Sequence, residues 1–174
     1  MSSTDSSTIP LLSIRYDKFG EFDSAEELNR AAAAQLREGD TEAIYIIAKE
    51  NGIDREDAED YIDGLVPELA SPLMAAYGKL DVEMEKLNLD GIMKDWLEYI
   101  RIQCQESGTM AAAVRRKGKS LKGCIASLLI WSMENAHPVP QEVLRACKIN
   151  YRVTLGIPDM GTAKEIIKKY YLEG

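Results

Sequence analysis

The stretch from Ser24 to Gly64, SAEELNRAAAAQLREGDTEAIYIIAKENGIDREDAEDYIDG, decides the fold class. Ser24 with Glu27 three residues on is a capping-box pattern, in which the hydroxyl takes a first-turn N–H and the glutamate reaches back to the cap. The Ala-rich run Ala25–Glu38 ends at Gly39, a residue free to take the left-handed turn that closes a helix. Thr41 is expected to cap a second helix, where Ala43, Ile44, Ile47 and Ala48 recur at helical spacing before Gly52. Asp54 is expected to cap a short third helix that turns Ala58, Tyr61 and Ile62 inward and closes at Gly64. Three glycines closing three helices predict a helical array.

Working outward, Leu11 to Phe22 reads as extended chain leading into that array. Downstream, Pro67 and Pro72 sit near the start of a fourth helix over about Ser71–Leu87, and Asp90 is expected to cap a fifth carrying Ile92, Trp96, Tyr99, Ile100 and Cys104 on one face. Ser107 and Gly108 break the pattern. Thr109 then opens a sixth helix ending at Gly118, and Ser120 caps the most apolar segment, Leu121–Asn135. Pro138 and Pro140 precede an eighth helix through Lys148. Tyr151 to Ile157 alternates as a short strand or extended loop, and Thr162 is expected to cap a last helix. The expectation is an all-α protein of eight to nine short helices in two packed lobes, with at most one short strand segment.

The 174 residues are 45% hydrophobic, which excludes wholesale disorder, and carry a net charge of −8, too acidic overall for a general nucleic-acid binder. That charge is divided. Residues 1–100 hold 23 acids against 9 bases, and residues 101–174 hold 6 acids against 12 bases. The expected organisation is a flexible tail at 1–18, an acidic helical lobe at 19–106 and a basic helical lobe at 107–174. The Ser/Thr-rich start, Met1–Pro10, lacks the basic and apolar regions of a secretory signal. The longest apolar run, Ile125–Trp131, falls far short of the ~20 residues that span a bilayer. Cys104, Cys124 and Cys147 are an odd, widely spaced set, as expected of reduced thiols in a cytoplasmic protein.

Two charged groups are candidate binding surfaces. Ala48 to Gly52 has the spacing of a helix-turn-helix, yet the following helix carries Glu56, Asp57, Glu59, Asp60 and Asp63 and would repel phosphate. It reads instead as a solvated face of a helix hairpin, or as an acidic surface for a basic protein. The acids lack the alternation and sixth-position Gly of a calcium loop. The bases Arg115, Arg116, Lys117, Lys119 and Lys122 straddle Gly118 and read as a solvated turn, a dock for the acidic half, or a phosphate-contacting site. His137 is the one histidine, and no Cys or His spacing supports zinc. With no nucleotide loop, nucleophile elbow or paired catalytic carboxylates, no enzyme and no cofactor is expected.

Two further stretches carry a family likeness. The segment Val114-Arg115-Arg116-Lys117-Gly118-Lys119-Ser120-Leu121-Lys122-Gly123-Cys124-Ile125 and the ending Tyr170-Tyr171-Leu172 resemble the PcfK-like family of conjugative and mobile elements in Firmicutes. That family is linked to inhibitors of type II CRISPR effector nucleases. The front segment from Phe19 to Ala31 is similar to mobile-element proteins that pair the two halves. The resemblance covers about a third of the chain and brings no catalytic residues. It implies a small non-enzymatic anti-CRISPR protein that binds a nuclease, and an acidic face competing for a basic nucleic-acid channel suits that role. The alternative is a nucleic-acid-associated accessory protein of conjugation or plasmid maintenance, acting through the 115–122 bases.

Overall fold

A computed structural model describes residues 18–173; the expected tail therefore lies, apart from Lys18, outside the described residues. The chain runs α1 (Ala25–Glu38), α2 (Thr41–Glu50), α3 (Arg55–Ile62), α4 (Pro72–Leu87), α5 (Ile92–Glu106), α6 (Gly108–Arg115), α7 (Leu121–Glu134), β1 (His137–Pro138), α8 (Gln141–Ala146), β2 (Thr154–Leu155) and α9 (Met160–Leu172). The described residues are all-α apart from one small ribbon, in which β1 and β2 pair antiparallel with His137 opposite Leu155. The alternating segment thus supplies one strand. Its partner is two residues long and half proline, too short to show any alternation of its own.

The caps explain where the helices begin. Ser24 Oγ accepts from the Glu27 N–H at 3.1 Å, while Glu27 Oε2 accepts from Asp23 N, one residue further out than a standard box. Ser120 caps α7 as expected, and Ser71 caps α4, with Pro72 at the first turn of α4, where its missing N–H costs nothing. Thr41 and Thr162 do not cap, and α6 opens before Thr109. Asp40, Ser107 and Asp159 take those places, accepting from Ala43, Met110 and Thr162 N–H groups. At Asp40 and Asp159 the reason is charge, since a carboxylate is the stronger acceptor at the positive end of a helix. Asp54 precedes α3 without a side-chain cap bond, and Asp90 instead accepts from Gly91 N.

Among the described residues, two apolar clusters fill the interior. Leu28, Ile44, Ile47, Ala58, Tyr61 and Leu69 form the first, from α1 to α3 and the segment after it. Trp96, Ile100, Val114, Leu121, Leu128 and Ile167 form the heart of the second, from α5, α6, α7 and α9. α4 serves both, giving Ala75 to the first and Ala76 and Leu80 to the second. Charge and packing therefore divide this chain at different places: the charge changes sign near residue 100, whereas the clusters part within α4.

Candidate functional site

α3 displays the acids. Glu56, Asp60 and Asp63 are exposed, and Asp57 and Glu59 are half-buried. Glu59 Oε1 lies 3.1 Å from Arg55 Nε one turn back, a surface pair of little energetic weight. Asp57 borders a groove of about 270 Å³ with Val66, Pro67, Leu69 and Met74. Beyond α3, Leu65 N donates to Asp60 O, and this turn leaves the Leu65 side chain 72% exposed. The acidic face is thus edged by apolar side chains, the make-up of a protein-docking patch.

The inner side of the same hairpin is structural. Gly52 has φ +69°, and a Cβ added to Gly78 of α4 would lie 2.0 Å from Asn51 O. The turn between α2 and α3 is therefore pressed backbone to backbone onto α4. On the outer side of α2, Tyr45, Lys49, Asp54, Arg55, Asp81 and Glu85 border a second groove of about 690 Å³, with the Arg55 guanidinium 4.2 Å from the Tyr45 ring centre.

The basic segment corrects the sequence reading. Arg116, Lys117 and Lys122 are exposed, but Arg115 is buried, with 1% exposure. Its Nε donates to Phe22 O at 3.0 Å, Nη1 to Ala75 O at 3.3 Å and Nη2 to Asn51 Oδ1 at 2.6 Å. A guanidinium so enclosed is no contact for a phosphate. It lies on the inward face of α6, where the junction of the two clusters supplies acceptors. Lys119 is half-buried, its Nζ donating to Tyr170 O at 2.7 Å and standing 4.9 Å from the Tyr170 ring centre. The structure therefore keeps three of the five expected bases at the surface.

Beneath that turn lie residues that sequence reasoning missed. Lys79 of α4 is fully buried; its Nζ donates to Arg115 O at 3.4 Å, to Lys119 O at 2.7 Å and to Arg116 O, and stands 2.9 Å from Glu21 Oε1. One turn on, Glu83 Oε2 accepts from Leu121 N at 3.0 Å. Burial pushes the Glu83 carboxyl above its ordinary range, against the pull of the Leu121 N–H and the Lys79 charge. Asp23 Oδ1 holds Lys117 N at 2.9 Å. The backbone of the 115–121 segment is gripped from below while Arg116 and Lys117 within it, and Lys122 just after it, are exposed. The only signal for Lys79 was its place just after the small residues Ala75, Ala76 and Gly78 of α4.

The stretches bearing the family likeness meet in space. Ser120 N donates to the Tyr170 hydroxyl at 3.0 Å, and a Cβ on Gly123 would stand 2.2 Å from that oxygen. Tyr171, edge-on to Tyr170, is buried, and burial pushes its phenol up. Cys104 and Cys124 are buried and their thiols pushed up to about 12, chiefly by desolvation, whereas Cys147 is exposed. His137 is exposed in β1. Among the described residues no group of three or more His, Cys, Asp or Glu side chains is placed to hold a metal, and no helix is long and apolar enough to cross a membrane. Comparison of the chain with protein-family models, curated proteins and solved structures gave no match.

Proposed function

We propose that the protein is a non-enzymatic, cytoplasmic binding factor of a mobile genetic element, whose acidic α3 face engages a basic partner protein. The resemblance supplies the partner class: a type II CRISPR effector nuclease, inhibited when carboxylates compete for its nucleic-acid channel. One observation carries the reading. Glu56 and Asp60 stand exposed on one short helix with Asp63 at its C-terminal end and Leu65 open beyond it, joining the charge that steers a basic partner to the apolar contact that holds it. The test is guide-directed DNA cleavage with and without the purified protein. Inhibition is expected, with at least tenfold loss when the five α3 acids are changed to Gln or Asn and the melting temperature is kept. Untouched cleavage under excess protein sinks the proposal.

A second reading rests on Arg116 and Lys117 in the turn after α6 and Lys122 at the start of α7, all three exposed. As phosphate contacts they would make an accessory nucleic-acid binder of conjugation or plasmid maintenance. Three contacts give a slope of log K against log salt of about −3 on duplex DNA. A gel-shift titration across salt that shows this slope, and loses it on neutralising the three bases, selects this reading over the first.

A further inference from the structure

The loop between α3 and α4 is fixed at both ends. At its start, Leu65 N donates to Asp60 O at 2.8 Å. At its end, the Asn29 side chain of α1 clamps Ala70, donating from Nδ2 to Ala70 O at 2.8 Å and accepting from Ala70 N at 2.9 Å. Leu69 is buried in the first cluster. Between these anchors Leu65, Val66, Pro67 and Glu68 are all exposed. This loop walls the groove of about 270 Å³ that Asp57 borders, so the groove is preformed and a partner is spared the entropy of ordering it.

The lining decides the occupant. Val66, Pro67, Leu69 and Met74 make the groove apolar, and its charged lining residues, Asp57 and Glu68, are both acids. Among the described residues neither carboxylate is paired with a base, unlike Glu59, which Arg55 holds. Carboxylates on the groove repel phosphate, which disfavours nucleic acid and an anionic membrane. A second copy of the chain, seated about a two-fold axis, would set the same acids against each other. The volume lies below the roughly 300–1,000 Å³ of small-molecule sites, and an apolar floor offers nothing to a bare cation. A protein segment that is cationic and carries one large apolar side chain meets every one of these conditions. We propose that the groove seats a leucine, methionine or phenylalanine side chain of a basic partner, whose flanking lysine or arginine pairs with Asp57 and Glu68. The proposal rests on the reading of α3 as a surface for a basic protein and gives that surface its anchor.

The test is a two-dimensional amide NMR titration of the full chain with the probe peptide acetyl-Lys-Lys-Leu-Phe-Lys-Lys-amide. Shifts are expected at the amides of Leu69, Ser71 and Met74, which line the groove. Replacing the central Leu-Phe by Gly-Gly, or every lysine by glutamate, is expected to weaken binding at least tenfold. Val66→Lys, which puts a base into the groove from an exposed position, is expected to do the same. Glu68→Lys repeats the test from a second exposed position should Val66→Lys lower the melting temperature. No shifts at those amides, or equal binding of either control peptide, overturns the proposal. Guide-directed cleavage separates this result from the nuclease reading. A chain whose groove takes the probe but which leaves cleavage untouched removes the nuclease and keeps the groove. Inhibition by a chain whose groove takes no probe removes the groove alone.

Discussion

The Arg115 guanidinium donates to Asn51 Oδ1 at 2.6 Å, joining the end of α6 to the end of α2 across 64 residues of sequence. Both residues are buried, and Arg115 also serves the carbonyls of Phe22 and Ala75. This is where the two apolar clusters are tied together. Replacing Arg115 by Met strands three buried acceptors, at a cost of about 3 kcal/mol or more. In a chain of this length that lowers the melting temperature by roughly 6–12 °C. Arg115→Lys recovers little, because one ammonium cannot reproduce a planar fork reaching three acceptors. The exposed Arg116→Ala stays within about 0.5 kcal/mol of wild type. Thermal melts of the three variants separate these outcomes, and equal effects at 115 and 116 would refute the assignment.

Glu83 gives a pH signature. Its folded carboxyl titrates above the ordinary 4.5, so the folded chain favours the protonated form. Its contribution to stability is complete below the unfolded value and is lost as pH rises through the folded one. Glu83→Gln is neutral at every pH and escapes that loss. The melting temperature of the wild type minus that of the variant is therefore expected to fall between pH 4 and pH 7.5. A difference that grows with pH instead would mean that the Leu121 N–H and Lys79 outweigh burial.

Two glycines test how close the helices lie. Gly78→Ala puts a methyl into the Asn51 carbonyl, a backbone atom that cannot swing away. Overpacking of this kind costs roughly 1–3 kcal/mol, enough to cancel the ~1 kcal/mol that alanine gains over glycine in a helix. Gly108, at the start of α6, would meet nothing within 4 Å, so Gly108→Ala is neutral or slightly stabilising. Chemical denaturation of the pair checks this, with Gly78→Ala expected to be the less stable of the two variants.

These sites show what the sequence could and could not reveal. The helices were legible because Gly39, Gly52 and Gly64 punctuate a regular apolar pattern, and local rules govern punctuation. The threonine caps were misplaced because Asp40 and Asp159 compete within the same turn, and spacing alone does not rank acceptors. The α3 acids were legible as a face because helical geometry makes them one. Arg115 was not legible as buried: four neighbouring bases made it look solvated, and its acceptors, Phe22, Asn51 and Ala75, come from three distant segments. Lys79 and Glu83 were missed for the same reason. A buried charge is defined by tertiary partners, and no local window contains them.

The thiols divide by burial, and their chemistry follows. Cys104 and Cys124 combine near-complete enclosure with thiols pushed up to about 12, so at pH 8 almost no thiolate forms and a reagent cannot reach it. Cys147 follows α8 and is exposed. Titration of the native chain with Ellman's reagent is expected to release one equivalent quickly, abolished by Cys147→Ser, with two more appearing only in denaturant. The slow pair then reports the opening of the second cluster: Arg115→Met, which loosens the tie between clusters, should speed their reaction. Three equivalents reacting together in the native wild type would show that α5 and α7 do not enclose their sulfurs.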